Sequence, residues 1–190
     1  MVKLLYSVSM SLDGFIAGPG GDMSWLTPYF GPNPGIEGLM DRIGALLVGR
    51  RTFEGDDPNR GTDKEGAFGG QWAGPQIVLT RHIPDHPKNS SDVTYCSDVR
   101  QAIDLAKVAA GEREYVNIFG AETARLCLEA DALDEILVLI VPVLLGDGTR
   151  LFEHPGGSTV RLERISLTEG PIATNLWMRV VPRSSDVGGG

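Results

Sequence analysis

The sequence predicts an α/β fold with three layers, α/β/α. Its central sheet is mainly parallel, and the C-terminal strands of the chain join it in antiparallel orientation. Two observations lead to this fold class. Short apolar strands alternate with segments of helical periodicity through most of the chain, as in a parallel sheet covered by helices on both faces. The last two strands instead follow one another directly, which favours an antiparallel pair at one edge of the sheet.

Strands are expected where short apolar runs rich in β-branched residues end at turn residues. The predicted strands lie at residues 2–10, 45–48, 76–79, 115–119 and 135–143, followed by the antiparallel pair 159–168 and 174–181. In the first strand of that pair the apolar residues change phase after Leu162. A β-bulge near Glu163 and Arg164 would reconcile the two halves.

Helices are expected at residues 36–43, from Asp98 to Gly111, and from Gly120-Ala121 through Ala130. Asp98 is a favourable N-cap residue, and Gly111 ends the apolar periodicity of its helix. Residues 54–74 contain six glycines and five acidic residues, which predicts a long surface loop of the kind that is functional or mobile in compact domains. We expect one domain over residues 1–183 and a flexible tail at 184–190.

Charge and cysteine content argue against several functions. The chain has 17 basic and 25 acidic residues and a net charge of −8, so neither nucleic acid nor an anionic membrane surface is an expected partner. Cys96 and Cys127 form no CxxC pair, and the three histidines complete no zinc pattern, so no metal site is predicted. The longest apolar run, residues 136–145, is too short for a membrane helix, and the first residues do not form a secretory signal. These features predict a cytoplasmic protein.

Three predicted strands end in residues that suit a phosphorylated ligand. They are followed by Gly49-Arg50-Arg51-Thr52, by Thr80-Arg81, and by Gly120-Ala121 at the start of a helix. The carboxyl ends of strands form the ligand crevice of an open α/β sheet, where helix N-termini and arginine forks bind phosphate. Taken singly, each site is also explained by a turn glycine or a solvated arginine, and neither a GxGxxG nor a P-loop motif is present.

An ordered set of short motifs spread over residues 2–181 carries a resemblance to a known family. The set comprises Ser9-Met10-Ser11-Leu12-Asp13-Gly14-Phe15-Ile16-Ala17, Gly49-Arg50-Arg51-Thr52-Phe53, Val78-Leu79-Thr80-Arg81, Ile118-Phe119-Gly120-Ala121-Glu122, Leu133-Asp134-Glu135-Ile136 and Pro142-Val143-Leu144-Leu145-Gly146-Asp147-Gly148-Thr149-Arg150-Leu151-Phe152. Together these motifs resemble the dihydrofolate reductase-like superfamily, and in particular the reductase domain of its riboflavin-biosynthesis branch.

The resemblance implies a dihydrofolate reductase-like fold and an NADPH-dependent oxidoreductase that transfers a hydride to a small heterocyclic or sugar-linked substrate. The groups acted on would be of the CH–NH or CH–OH type, as in 5-amino-6-(5-phosphoribosylamino)uracil reductase or dihydrofolate reductase. Relatives in this branch commonly pair through the sheet, so the resemblance also implies a homodimer.

The resemblance further implies which residues bind the cofactor. The phosphates of NADPH would be held by Gly49, Arg50, Arg51 and Thr52, and the pyrophosphate by Gly120, Ala121 and Glu122. The adenosine would be lined by Leu79, Thr80 and Arg81. The nicotinamide would lie near Gly146. Either Arg50 or Arg51 would face the 2′-phosphate. Family members often have two or three consecutive glycines at the pyrophosphate turn, where this chain has Gly120 followed by Ala121.

Two further residues are candidates on the substrate side. Asp13 is the motif carboxylate suited to donate a proton or to orient the substrate, although a cap of the turn at Asp13-Gly14 explains it equally well. Trp25 would stack on a flat heterocycle, although core packing is the commoner role of such a tryptophan.

Two other functions stay open from the sequence alone. The single glycine and the absence of the deaminase motif H-x-E…P-C-x-x-C are also compatible with a nucleotide-binding protein of the same fold that lacks catalysis. The second alternative is a reductase that uses a deazaflavin in the same crevice.

Overall fold

The computed structural model describes residues 1–55, 57, 59–84 and 92–182. Within these ranges the strands are β1 (Lys3–Ser11), β2 (Phe15–Ala17), β3 (Ile43–Gly49), β4 (Gln76–Leu79), β5 (Val93–Cys96), β6 (Tyr115–Phe119), β7 (Glu135–Val141), β8 (Thr149–Arg150), β9 (Leu162–Glu169) and β10 (Thr174–Val180). The α-helices are α1 (Leu39–Arg42), α2 (Arg50–Glu54), α3 (Val99–Ala110) and α4 (Ala121–Glu129). The tail predicted at 184–190 lies outside the described residues.

A central eight-stranded sheet has the strand order β5-β4-β3-β6-β1-β7-β10-β9. The strands from β5 to β7 run parallel, whereas β10 is antiparallel to both β7 and β9. This arrangement confirms the predicted fold class. Strands β4, β3 and β6, whose ends carry the phosphate-type motifs, are neighbours in the sheet. Their carboxyl ends therefore meet at one edge.

The two long helices, α3 and α4, pack on one face of the sheet against β3 and β6. The side chain of Asp98 accepts a hydrogen bond from the backbone N–H of Gln101, as expected of an N-cap, and α3 buries an apolar stripe that includes Ile103. The opposite face is covered by α1 together with 3-10 and loop segments. None of the helices in the described ranges is long and apolar enough to cross a membrane.

The structure corrects the predicted helix at 36–43. Gly38 adopts a left-handed φ of +73°, which separates the 3-10 turn Pro34–Ile36 from the short helix α1. Ile43 already belongs to β3. Strands β2, β5 and β8 lie outside the predicted strands. Strands β2 and β8 have only three and two residues, which is too short to show an apolar period, and β5 (Val-Thr-Tyr-Cys) has no continuous apolar run.

The β-bulge in β9 lies next to its predicted position. The register skips Ile165 between Arg164 and Ser166, so Ile165 is the extra residue. The apolar side chains on both sides of the bulge are exposed: the exposed fractions of Leu162, Ile165 and Leu167 are 40%, 42% and 55%. The edge strand therefore presents apolar side chains to its surroundings.

A buried carboxylate ties strands together at the amino edge of the sheet. Glu135 accepts hydrogen bonds from the Lys3 ammonium at 2.8 Å, the Tyr115 hydroxyl at 3.0 Å and the Trp177 indole at 2.8 Å. The bond to Glu135 raises the pKa of Lys3, and burial raises the pKa of Tyr115. Because the donors come from β1, β6 and β10, this network joins four strands through one side chain.

Candidate functional site

The turns after β3 and β6 interlock through two glycines and two threonines. A Cβ atom at Gly49 would lie 2.7 Å from the Thr123 hydroxyl, and one at Gly120 would lie 2.8 Å from the Thr52 hydroxyl. Gly120 also has a φ of +102°, which side chains rarely allow. Each glycine thus lies under a threonine of the neighbouring turn, and a side chain at either position would displace that threonine.

This interlock brings the N-termini of α2 and α4 together at the carboxyl edge. Helix α4 begins at Ala121, directly after Gly120, and α2 begins directly after Gly49. The first N–H groups of a helix have no partner within the helix and attract anions. Because Ala121 is already helical, its backbone N–H keeps this orientation. The backbone N–H groups that the predicted pyrophosphate site requires are therefore present, although this chain has one glycine where family members often have two or three.

An open cleft of about 290 Å³ lies beside the interlock. Three of the predicted cofactor residues, Arg51, Ala121 and Glu122, line this cleft. The other lining residues were not assigned to binding by the motifs: Arg125, Gly148, Thr149, Arg150 and Glu153. Arg125 lies one helical turn after Ala121, so helical periodicity is the signal that identifies it.

Glu122, at the start of α4, is affected by arginines from three parts of the chain. Arg125 donates to the Glu122 carboxylate at 2.6 Å, and this bond lowers the pKa of Glu122. The charges of Arg81 and Arg51, which follow different strands, lower the pKa of Glu122 further. Arg51, Arg125 and Arg150 thus line the cleft together with Glu122 and Glu153, and Arg125 is paired with both Glu122 and Glu129.

The remaining predicted cofactor residues lie along the same edge. Leu79 pairs with Gly49 where β4 and β3 end, which places the predicted adenosine wall beside the interlock. Thr80 is buried, and its hydroxyl donates to the backbone carbonyl two residues further on. Arg50 donates to Glu54 at 2.8 Å along α2, so Arg51 is the arginine of this pair that lines the cleft.

Strand β8, which pairs with β2, lines another part of the cleft. A Cβ atom at Gly148 would collide with the carbonyl oxygen of Ala17, so only glycine fits this close approach. The Arg150 guanidinium lies 4.5 Å from the centre of the Phe15 ring, a cation–π distance. Because Phe15 is buried, this contact fixes Arg150 at the cleft.

Asp13 fastens the loop after β7 to the end of β1. Its carboxylate accepts hydrogen bonds from the backbone N–H groups of Leu145 at 3.1 Å and Gly146 at 2.7 Å, and from the Ser11 hydroxyl at 2.6 Å. The bond from Ser11, helped by those from the two N–H groups, lowers the pKa of Asp13 to about 2. A hydrogen bond therefore joins Asp13, the predicted substrate-side carboxylate, to Gly146, the predicted nicotinamide-side glycine.

Trp25 is not among the residues that line the cleft. It belongs to the 3-10 segment Ser24–Tyr29, and its buried indole N–H has no hydrogen-bond partner among the described residues. Its stacking role stays a prediction. Across the described ranges, no group of three or more His, Cys, Asp or Glu side chains is arranged to hold a metal ion.

The sheet order, the antiparallel C-terminal strands and the cleft define an α/β protein of the dihydrofolate reductase-like superfamily. The family model described as RibD C-terminal domain matches residues 2–171, and the chain belongs to that family. Because this is the reductase domain of riboflavin biosynthesis, the resemblance drawn from the motifs is confirmed and an oxidoreductase is supported.

Individual relatives are distant in sequence. The chain is 26% identical over 165 residues to the uncharacterized protein YwjB of Bacillus subtilis, covering 80% of this chain and 83% of YwjB. A Shewanella sp. PV-4 structure described as a proposed riboflavin biosynthesis protein has a TM-score of 0.71 and 24% identity, covering 95% of this chain and 99% of that one. The Thermotoga maritima diaminohydroxyphosphoribosylaminopyrimidine deaminase/5-amino-6-(5-phosphoribosylamino)uracil reductase has a TM-score of 0.65 and 15% identity, covering 95% of this chain and 57% of that one. At these identities the structural likeness shows the fold.

Substitution of the interlocking residues should reveal their coupling. Gly49→Ala should lower the free energy of unfolding by about 1–3 kcal/mol, because the added methyl group overpacks the turn against Thr123. In a double-mutant cycle, Thr123→Ala should recover part of that loss by removing the hydroxyl. Gly31→Ala, where the added methyl has ordinary contacts, is the control for urea denaturation. A Gly49→Ala protein as stable as the wild type would contradict the interlock.

Carboxyl-carbon NMR should show that Asp13 titrates near pH 2, below its ordinary value of 3.8. Since folding lowers this pKa, the stabilisation from Asp13 is complete above the unfolded value and is lost as the pH falls through about 2. Asp13→Asn should shift the amide resonances of Leu145 and Gly146 at neutral pH. If the Asp13 carboxyl of the wild-type protein titrates above pH 4, the hydrogen bonds from Ser11, Leu145 and Gly146 do not stabilise its ionised form.

Proposed function

We propose that the protein is an NADPH-dependent reductase that binds the dinucleotide in the cleft at the carboxyl edge. The observation that carries this proposal is the interlock, which sets the N-terminus of α4 beside Arg51 in a chain of net charge −8. Backbone donors and arginines concentrated at one point suit a ligand with several phosphate groups. Membership of the RibD C-terminal domain family supports a reductase.

The residues present fit the parts of the dinucleotide. The backbone N–H groups of Gly120, Ala121 and Glu122 would hold the pyrophosphate. The residues that would hold the rest, towards the adenosine, are Gly49, Thr52, Arg51, Arg81, Leu79 and Thr80. Arg51 would face the 2′-phosphate, because Arg50 is bonded to Glu54. A planar guanidinium that can donate two parallel hydrogen bonds is well suited to that phosphate.

NADPH, when bound, supplies a hydride to the carbon of a C=N or C=O acceptor, whose nitrogen or oxygen also takes up a proton. A carboxyl whose pKa is about 2 is almost fully ionised at neutral pH, so Asp13 is a poor donor of that proton. We therefore assign Asp13 a positioning role. By binding the N–H groups of Leu145 and Gly146, it holds the loop that would border the nicotinamide.

The substrate class we propose is a small flat heterocycle that carries a sugar or amino group. Support comes from the names of structural neighbours, among them the Thermotoga maritima uracil reductase and the Saccharomyces cerevisiae riboflavin biosynthesis reductase Rib7, the latter with a TM-score of 0.57 and 18% identity. Trp25 would stack on such a ring. We also propose a cytoplasmic location, because Cys96 and Cys127 are free and buried, as in a reducing compartment.

We further propose that the chain forms a homodimer through the β9–β10 end of the sheet. Strand β9 lies at the edge of the sheet and exposes Leu162, Ile165 and Leu167. The long helices α3 and α4 pack mainly on β3 and β6, some strands away. Exposed apolar groups on an edge strand favour pairing with another chain, and a second copy offers the same apolar strand.

The cofactor proposal predicts a preference for NADPH over NADH. Binding followed by nicotinamide fluorescence should be about 10- to 100-fold tighter for NADPH, because the 2′-phosphate forms charge-assisted hydrogen bonds. Combining Arg51→Gln with Arg81→Gln should abolish that preference and leave NADH binding little changed. The exposed Arg161→Gln is the matched control. Equal weak binding of both cofactors, or none, would refute the assignment.

The dimer proposal predicts that charge on β9 separates the subunits. In analytical ultracentrifugation the wild-type protein should sediment as a dimer, and Leu162→Lys combined with Leu167→Lys should shift it to the monomer. Val108→Lys is the control, since Val108 is 81% exposed on α3. A monomeric wild-type protein, or a dimer unaffected by the β9 lysines, would rule out this interface.

A further inference from the structure

Glu122 places a negative charge in the first turn of α4, where the phosphates of the proposed cofactor would bind. Its side chain is 69% exposed. A carboxylate is favourable at a helix N-terminus for the same reason as a phosphate, because both are attracted by N–H groups that have no partner within the helix. The N-cap residue, Gly120, has no side chain that could occupy these groups. The Glu122 side chain is therefore a competitor of the ligand.

Arg125 holds this carboxylate by both of its oxygen atoms. Its Nε donates to Oε2 of Glu122 at 2.9 Å, and its Nη2 donates to Oε1 at 2.6 Å. Among the described residues, the Glu122 carboxylate accepts hydrogen bonds from Arg125 alone. Because Arg125 lies three residues further along the helix, this bidentate pair draws the carboxylate towards the second turn of α4.

The other end of the Arg125 guanidinium is held as well. Its Nη1 donates to the Glu129 carboxylate, and Nδ1 of His154 lies 3.3 Å from the same Glu129 oxygen. A Cβ atom at Gly157 would overlap the His154 imidazole, so this ring packs directly against the backbone. Three hydrogen bonds thus fix one guanidinium between two carboxylates, and its side chain is only 26% exposed.

The stability of the fold gives little reason for this arrangement. Ion pairs between residues three or four positions apart on an exposed helix face contribute little to the free energy of folding. The pair has a larger effect on the charge of the cleft. Three arginines and two glutamates are among the described residues that line it. Without Arg125, positive and negative charges there would be equal in number.

An unpaired Glu122 would also compete for the arginines proposed to bind phosphate. The charges of Arg51 and Arg81 already lower the pKa of Glu122, so this carboxylate interacts with both guanidinium groups. Released from Arg125, it would attract them more strongly than it does when its charge is compensated. The 2′-phosphate would then meet a rival anion at its own site.

We propose that Arg125 is a positioning residue for the dinucleotide: it compensates the charge of Glu122 and holds the carboxylate away from the first N–H groups of α4. In this assignment Arg125 does not bind the phosphate itself, because its guanidinium is already bonded to Glu122 and Glu129. The inference rests on the proposed function and adds to it a residue that the sequence motifs do not contain.

A double-mutant cycle followed by nicotinamide fluorescence tests this role. Arg125→Gln should weaken NADPH binding about 10-fold, because an uncompensated carboxylate then lies beside the phosphates. Glu122→Gln should bind NADPH at least as tightly as the wild type. The double variant should return to within about threefold of the wild type, since both charges are absent. Arg161→Gln, which breaks another exposed arginine–glutamate pair, is the matched control.

Rescue by Glu122→Gln separates positioning from direct contact. If Arg125 binds phosphate itself, Glu122→Gln will not restore the affinity that Arg125→Gln loses, and that result would overturn the proposal. An Arg125→Gln protein that binds NADPH like the wild type would overturn it as well. The melting temperatures should all lie within about 4 °C of the wild type, because only exposed pairs are lost. A larger fall for Arg125→Gln, with no rescue of binding, would make its role structural.

NMR titration of Glu122 in the absence of cofactor supplies an independent readout. In the wild type the carboxyl should titrate below its ordinary value of 4.5 and leave the amide protons of Ala121 and Thr123 nearly unmoved. In Arg125→Gln these amide protons should move downfield as Glu122 ionises, because the freed carboxylate turns to the helix N-terminus. Equal movement in both proteins would contradict the proposal. A wild-type protein that binds neither NADPH nor NADH would refute the proposed function, and the amide shifts would still decide whether Arg125 holds Glu122 away from these groups.

Discussion

Two glycines that leave no room for a side chain determine the geometry of the candidate site. Gly49 and Gly120 lie in neighbouring turns, and each lies beneath a threonine of the other turn. Because the turns touch, the N-terminus of α4 and the arginine that follows β3 come together in one cleft. Backbone donors at a helix N-terminus are held in place by the fold, so binding a phosphate there requires little ordering of side chains.

The sheet and its strand-end motifs were predictable because both are local properties of the chain. Gly49 and Gly120 directly follow short apolar strands, and the family motifs occupy the same turns. The bond between Gly146 and Asp13 was not predictable from spacing, since it joins residues 133 positions apart. The predicted helix at 36–43 is present only as the four residues of α1, because apolar periodicity does not register the left-handed conformation of Gly38.

The two edges of the sheet differ in how their polar groups are satisfied. At the amino edge, Glu135 is buried and accepts three hydrogen bonds from neighbouring strands. At the carboxyl edge, the first turn of α4 presents backbone N–H groups that have no partner within the helix. A fully paired buried network stabilises a fold, whereas unpaired polar groups beside a cleft are available to a ligand.

Amide chemical shifts recorded while NADPH is added test the placement of the cofactor most directly. The largest changes in the ¹H–¹⁵N correlation spectrum should fall at residues 50–52, 121–123 and 146–150, which form the interlock and the walls of the cleft. Amides near Glu135 at the amino edge should hardly move. Changes confined to the amino edge, or an unchanged spectrum at millimolar NADPH, would contradict a dinucleotide site between these two turns.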